Sequence, residues 1–175
     1  IKADGHFLAT QFTNKTNIEA TAVAAADVAL TQSLVNANTN LMLTKESIKD
    51  TAANIQSNLE TLETEVKTST AYSTSTSLTI TNIAVSDKGS ISVTNSTLTN
   101  DLDALKIVSG KYTLNVTDIG AADAVALRAP SKDAALAISV KDTAANVATN
   151  WDKLQTVAKA KTLASISVTD SSSSL

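Results

Sequence analysis

The chain has 175 residues, 14 basic and 17 acidic side chains and a formal net charge of −3, a length that holds one domain or a few stacked small units and suffices to bury a core. Ala (28), Thr (26) and Ser (20) fill 74 positions, aromatics make up 3% and cysteine is absent, which excludes a disulfide scaffold, a thiol nucleophile and Cys-based zinc or iron–sulfur sites. One histidine, one arginine and scattered lysines leave little for acid–base or phosphate chemistry and no basic patch for nucleic acid, so a non-enzymatic chain is expected.

The start, Ile1 to Leu8, has neither a basic n-region nor an apolar h-region, and no later apolar run approaches the roughly 18–20 residues that span a bilayer. It reads as a soluble fragment or a mature chain, and freedom from cysteine suits a protein exported unfolded, so an extracellular origin is expected. His6, the sole imidazole, has no second nitrogen ligand to complete a transition-metal site and reads as an exposed terminal residue. Within residues 1–45, Ile18, Ala22, Ala25, Ala26, Ala29, Leu30 and Leu34 predict an Ala-rich helix broken near Asn36 to Asn40. This segment is either a helical cap or a degenerate copy of the repeat in residues 46–175, with its aspartate lost.

Residues 46–175 are self-similar. Ile48-Lys49-Asp50-Thr51-Ala52-Ala53-Asn54-Ile55 returns 92 residues later as Val140-Lys141-Asp142-Thr143-Ala144-Ala145-Asn146-Val147, and Asn58-Leu59-Glu60-Thr61-Leu62 aligns with Asn150-Trp151-Asp152-Lys153-Leu154. A shorter phrase occurs five times: Ile83 to Asp87, Ile91 to Asn95, Leu114 to Asp118, Ile138 to Asp142 and Ile166 to Asp170. Each alternates apolar and small polar residues, the pattern of a half-buried strand, and ends in a residue that favours caps and turns. After Asp50, the positions Ala52, Ile55, Leu59, Leu62 and Val66 form one apolar helical stripe; after Asp142, so do Ala144, Val147, Trp151, Leu154 and Ala158. The predicted module is strand, Asp cap on the following helix, helix, loop and next strand. Trp151, on the stripe, is expected in the core rather than as a sugar platform.

Shorter versions occupy the middle. Leu98, Leu102 and Leu105 predict a brief helix closing at Gly110, Tyr112 to Val116 a strand, and Ala121 to Ala129 a short helix stopped by Pro130. The Asp87 to Ser90 link is too short for a crossover helix and predicts a hairpin or tight corner. Helical crossovers imply parallel strands. The fold class expected is therefore α/β: a solenoid-like stack of strand–helix units with a largely parallel sheet, after the Ala-rich helical segment. The last phrase, Ile166 to Asp170, runs into Ser171 to Leu175 where the pattern expects another strand. This reads as a fragment of a longer array, or as a terminal strand that pairs with a neighbour.

The Val-Lys-Asp-Thr-Ala-Ala-Asn-Val and Ile-Ser-Val-Thr-Asp phrases, with their Asn-Leu-Glu-Thr-Leu and Asn-Trp-Asp-Lys-Leu continuations, resemble the repetitive segments of very large Gram-negative surface or secreted proteins exported by type I secretion. The resemblance covers roughly Ser47 to Leu175 and implies an adhesin, biofilm-matrix or surface-layer setting. The calcium-binding Gly-Gly-x-Gly-x-Asp nonapeptide of such proteins is missing here, where only four glycines occur.

These features support two functional readings. The first is a structural, self-associating segment with neighbouring repeats or other copies of itself as partners, no nucleic acid and no membrane span, through the stretches Leu78 to Ser92 and Ile166 to Leu175. The alternative is a calcium-dependent adhesion module, in which Asp87, Asp118, Asp142 and Asp170 stack at successive corners as a carboxylate ladder. Structural capping is the competing role for those acids. A hydrolase would need facing carboxyls such as Asp101 with Asp103, or Glu60, Glu63 and Glu65, which are expected on short solvated helices.

Overall fold

A computed structural model describes residues 16–36, 41–71 and 79–170. The expectations for His6, for the helix break at 37–40, for Leu78 at the start of one interface stretch and for residues 171–175 lie outside the described residues. The chain is α/β. Among the described residues there are eight strands: β1 (Thr16–Val23), β2 (Leu41–Asp50), β3 (Thr79–Val85), β4 (Ser90–Thr94), β5 (Val108–Ser109), β6 (Tyr112–Ile119), β7 (Ala134–Asp142) and β8 (Leu163–Val168). Eight α-helices accompany them: α1 (Val28–Asn36), α2 (Ala52–Ser57), α3 (Leu59–Ala71), α4 (Asn95–Asn100), α5 (Leu102–Lys106), α6 (Ala121–Ala126), α7 (Ala144–Thr149) and α8 (Trp151–Lys159), with a 3-10 turn at Ala25–Asp27.

The strands form two sheets, β1-β2-β3-β5 and β4-β6-β7-β8, in which every pairing is parallel. All five alternating phrases lie on strands (β3, β4, β6, β7 and β8) and the parallel arrangement agrees with the helical crossovers. The Asp87 to Ser90 link is a corner and not a hairpin: it carries the chain from β3 in one sheet to β4 in the other. Gly110, at φ +83°, makes the second such corner between β5 and β6, and a side chain there would meet the Val85 carbonyl oxygen at 2.7 Å.

Alternation explains the interior. In β4, Ile91 and Val93 are buried while Ser90, Ser92 and Thr94 are exposed. In β6, Tyr112, Leu114 and Val116 point inward, then a register shift after Val116 moves the next inward residue to Ile119. With Ile48, Ile83 and Ile138 from the other strands and Ile55, Leu62, Leu105 and Leu154 from the helices, they form one apolar cluster. Each such side chain contributes about 1.5–3 kcal/mol by leaving water.

Three expectations need correction. The Ala-rich N-terminal helix does not begin at Ile18: Thr16–Val23 is β1, paired with β2, and the helix starts at Val28. The β-branched Thr16, Ile18, Thr21 and Val23 favour the strand. The stripes after Asp50 and Asp142 are each broken in two, at Asn58 (φ −113°, ψ 12°) and Asn150 (φ −103°, ψ 9°). There the Asn side chains donate back to the carbonyls of Asn54 (2.8 Å) and Asn146 (3.0 Å). Finally, Trp151 is half exposed rather than in the core.

Candidate functional site

The helices that follow β2 and β7 start with Thr51 and Thr143 in extended backbone at φ −69°, ψ 155°. These threonines, not Asp50 and Asp142, are the N-caps: their hydroxyls accept the N–H of Asn54 and Asn146, each at 3.3 Å. The aspartates have a longer reach. Asp50 Oδ1 accepts the Thr51 N–H (2.8 Å) and the Asn54 side-chain amide (2.7 Å), while its Oδ2 accepts the N–H of Ala25 on the preceding unit (3.0 Å). Asp142 repeats this with Thr143 (2.8 Å), Asn146 (2.7 Å) and Ala121 (2.9 Å).

The same link occurs twice more: Asp87 Oδ1 accepts the Ala52 N–H at 3.0 Å and Asp170 Oδ1 the Ala144 N–H at 2.8 Å. In all four cases an aspartate two residues past a paired Val or Ile takes an otherwise unsatisfied first-turn amide of the previous helical segment. The paired positions are Val23 with Ile48, Asp50 with Val85, Ile119 with Val140 and Asp142 with Val168. The receiving residue is always the first of an Ala-Ala-Asp or Ala-Ala-Asn triplet, at 25–27, 52–54, 121–123 and 144–146. A carboxylate there also complements the positive end of the helical backbone.

Electrostatics follow this bonding. At Asp50, partial burial pushes the carboxyl up, but hydrogen bonds from Asn54, Ala25 and Thr51 outweigh it and hold the group below the usual range. The N–H groups of Ala52 and Gly89 lower Asp87, and the Asn146 amide with the N–H groups of Ala121 and Thr143 lowers Asp142. Asp118 departs from the set. It lies at φ 55°, one residue before the end of β6, and pairs with Lys141 at 3.0 Å on the surface. The register shift after Val116 turns it away from the helix that its phrase would cap, so the ladder consists of Asp50, Asp87, Asp142 and Asp170. Asp50 is absent from the expected ladder; the Ala-Ala-Asp/Asn triplets, which precede each linked strand, are the sequence feature that marks it.

The remaining acids are not all solvated. Glu63 is buried: its Oε2 accepts the Ala104 N–H at 2.6 Å and its Oε1 pairs with Lys67 at 2.8 Å, tying α3 to α5. Asp101, buried between α4 and α5, is raised by burial and by Glu63 and Glu60. Asp103 pairs with Lys106. Glu46 on β2 is fully buried, with the Thr31 side chain as the one hydrogen-bonding neighbour among the causes that set its charge state. Burial pushes it up to about 7, with Thr31 lowering and Glu65 raising it.

Among the described residues no three His, Cys, Asp or Glu side chains are grouped to hold a metal ion, and no helix is long and apolar enough to cross a membrane. An open groove of about 480 Å³ lies between α6 and α8, lined mainly by apolar side chains with Arg128 and Lys153 as its charged members. No known protein family, curated protein or solved structure matches the chain.

Proposed function

We propose that the chain is a non-enzymatic structural segment of a bacterial cell-surface or secreted protein, a solenoid-like stack of strand–helix units whose role is reach, rigidity and self-association in an adhesive, matrix or surface-layer setting. The observation that carries this reading is the recurrent carboxylate link from one unit to the helical segment before it, at Asp50, Asp87, Asp142 and Asp170. Such a link makes each unit depend on its neighbour for a helix cap, and units that complete each other form a stiff array. The carboxylates considered for calcium are already committed to backbone amides and, at Asp118, to Lys141, which favours the structural reading over calcium-dependent adhesion. The surface setting rests on the resemblance of the repeated phrases and on the cysteine-free composition.

The test has two parts. Electron microscopy of the purified chain at high concentration is expected to show filaments or ordered sheets, and an antibody against it is expected to label intact producing cells. Dispersed single particles at every concentration, together with label confined to the cell interior, would contradict the proposal.

A further inference from the structure

The groove of about 480 Å³ between α6 and α8 has walls drawn entirely from residues 124–162. It exists because α6 ends early. In the first copy of the repeat the Ala25–Asp27 turn runs directly into α1, which continues for nine residues. In the second, α6 stops after six residues, and Leu127 turns the backbone to an extended φ −61°, ψ 137° ahead of Pro130. The space that a longer helix would fill beside α8 is left open.

The chemistry of the lining differs between the copies in the same place. Counted from the matching Asp50 and Asp142, the residues Thr44, Glu46 and Glu65 are replaced by Leu136, Ile138 and Val157; counted from Ala25 and Ala121, Thr31 is replaced by Leu127. In the first copy Thr31 and Glu65 act on the charge of the fully buried Glu46, a polar cluster. In the second all four positions are aliphatic: Ile138 is 1% exposed, and Leu127, Leu136 and Val157 are half-buried. An open groove with such a lining gains free energy from an apolar occupant.

Charge at the groove has one sign. Arg128 and Lys153 line it and no carboxylate does, and neither cation belongs to an ion pair among the described residues. Arg128 is steadied through Nη1, which donates to the carbonyls of Leu127 (2.8 Å) and Val125 (3.3 Å). Its Nε and Nη2 donors stay available to an incoming acid.

We propose that the groove binds a free medium-chain fatty acid, its alkyl chain along Ile138 and Val157 and its carboxylate between Arg128 and Lys153. The lining selects this class. Aliphatic walls without an aromatic ring or side-chain amide suit an alkyl chain rather than a sugar or a base, and two cations with no facing acid suit a single anionic head. The site goes beyond the structural role above and does not depend on self-association.

Calorimetry and amide NMR with decanoate, below the concentration at which it forms micelles, test this. One saturable site is expected, with the largest shifts at Leu136, Ile138 and Val157, and with decanol and acetate each weaker by about tenfold or more. Arg128→Gln combined with Lys153→Gln, both at exposed positions, should weaken decanoate by about tenfold and leave decanol unchanged. Ala160→Phe, at the exposed end of α8, should block the groove with unchanged circular dichroism. No decanoate binding, binding undiminished in both variants, or shifts centred away from the groove would overturn the proposal. Attachment to anionic lipid vesicles without binding of free decanoate would overturn it too, in favour of a membrane surface.

Discussion

The Asp142 carboxylate lies 2.9 Å from the amide nitrogen of Ala121, 21 residues earlier in the chain. The same carboxylate holds the Thr143 N–H and the Asn146 side chain of its own unit. One side chain thus holds the start of two helices, α6 and α7, and their stabilities are expected to be coupled.

Removing such a link is costly in proportion to the donors it orphans. Asp50→Ala frees the Ala25 and Thr51 amides and the Asn54 side chain, and a loss of about 1–2 kcal/mol is expected in urea unfolding. Asp118→Asn breaks only a surface ion pair with Lys141 and keeps a residue tolerant of positive φ, so a change under about 0.5 kcal/mol is expected. Equal effects at the two positions would contradict the division between Asp50 and Asp118.

The corner at Gly110 is sterically closed. Its φ of +83° and the 2.7 Å approach that a Cβ would make to the Val85 carbonyl oxygen predict that Gly110→Ala destabilises by more than about 1 kcal/mol. Thermal melts of the variant check this. An unchanged Tm would mean that the two-sheet corner is not built as described.

Stability is expected to vary with pH in two opposing directions. Glu46 is raised by burial from 4.5 to about 7, so the folded chain holds a proton that the unfolded chain has released. Stability therefore falls as pH rises from about 4.5 through about 7, by on the order of 2–3 kcal/mol at most. Glu65, raised by burial, acts in the same direction. Asp50, Asp87 and Asp142 are lowered, and their contribution is lost as pH falls from about 4 through their folded values. Urea midpoints against pH should peak near about pH 4–5. Glu46→Gln should flatten the neutral-side fall; a fall that persists in the variant would assign it elsewhere.

Much of this fold was legible in the sequence because alternation and helical spacing are local. The five phrases from Ile83 to Asp170 became strands, and the helical crossovers between strands forced parallel pairing. β5, two residues long, was too short to carry a period, and the alanines of residues 18–34 hid β1 behind a helical spacing. The direction of capping was illegible for another reason. Asp50 and Asp142 stand at the chain position of a local cap, but threonines follow them and take that role, leaving the carboxylates free to reach a helix 21 or 25 residues away. Periodicity placed Trp151 on the stripe that holds buried Leu154, but a helix's own spacing does not say which part of a stripe is covered: Leu59 is buried, whereas Trp151 is half exposed.

The most direct test of the central claim is amide hydrogen exchange by NMR in the Asp142→Ala variant. First-turn amides lack partners within their own helix, so their protection reports the cap. The account predicts faster exchange at Ala121, on the preceding unit, and at Thr143, with Ala144 still protected through Asp170. Loss of protection at Ala144 with Ala121 unchanged would show that Asp142 caps only its own helix, and would contradict the coupling of neighbouring units.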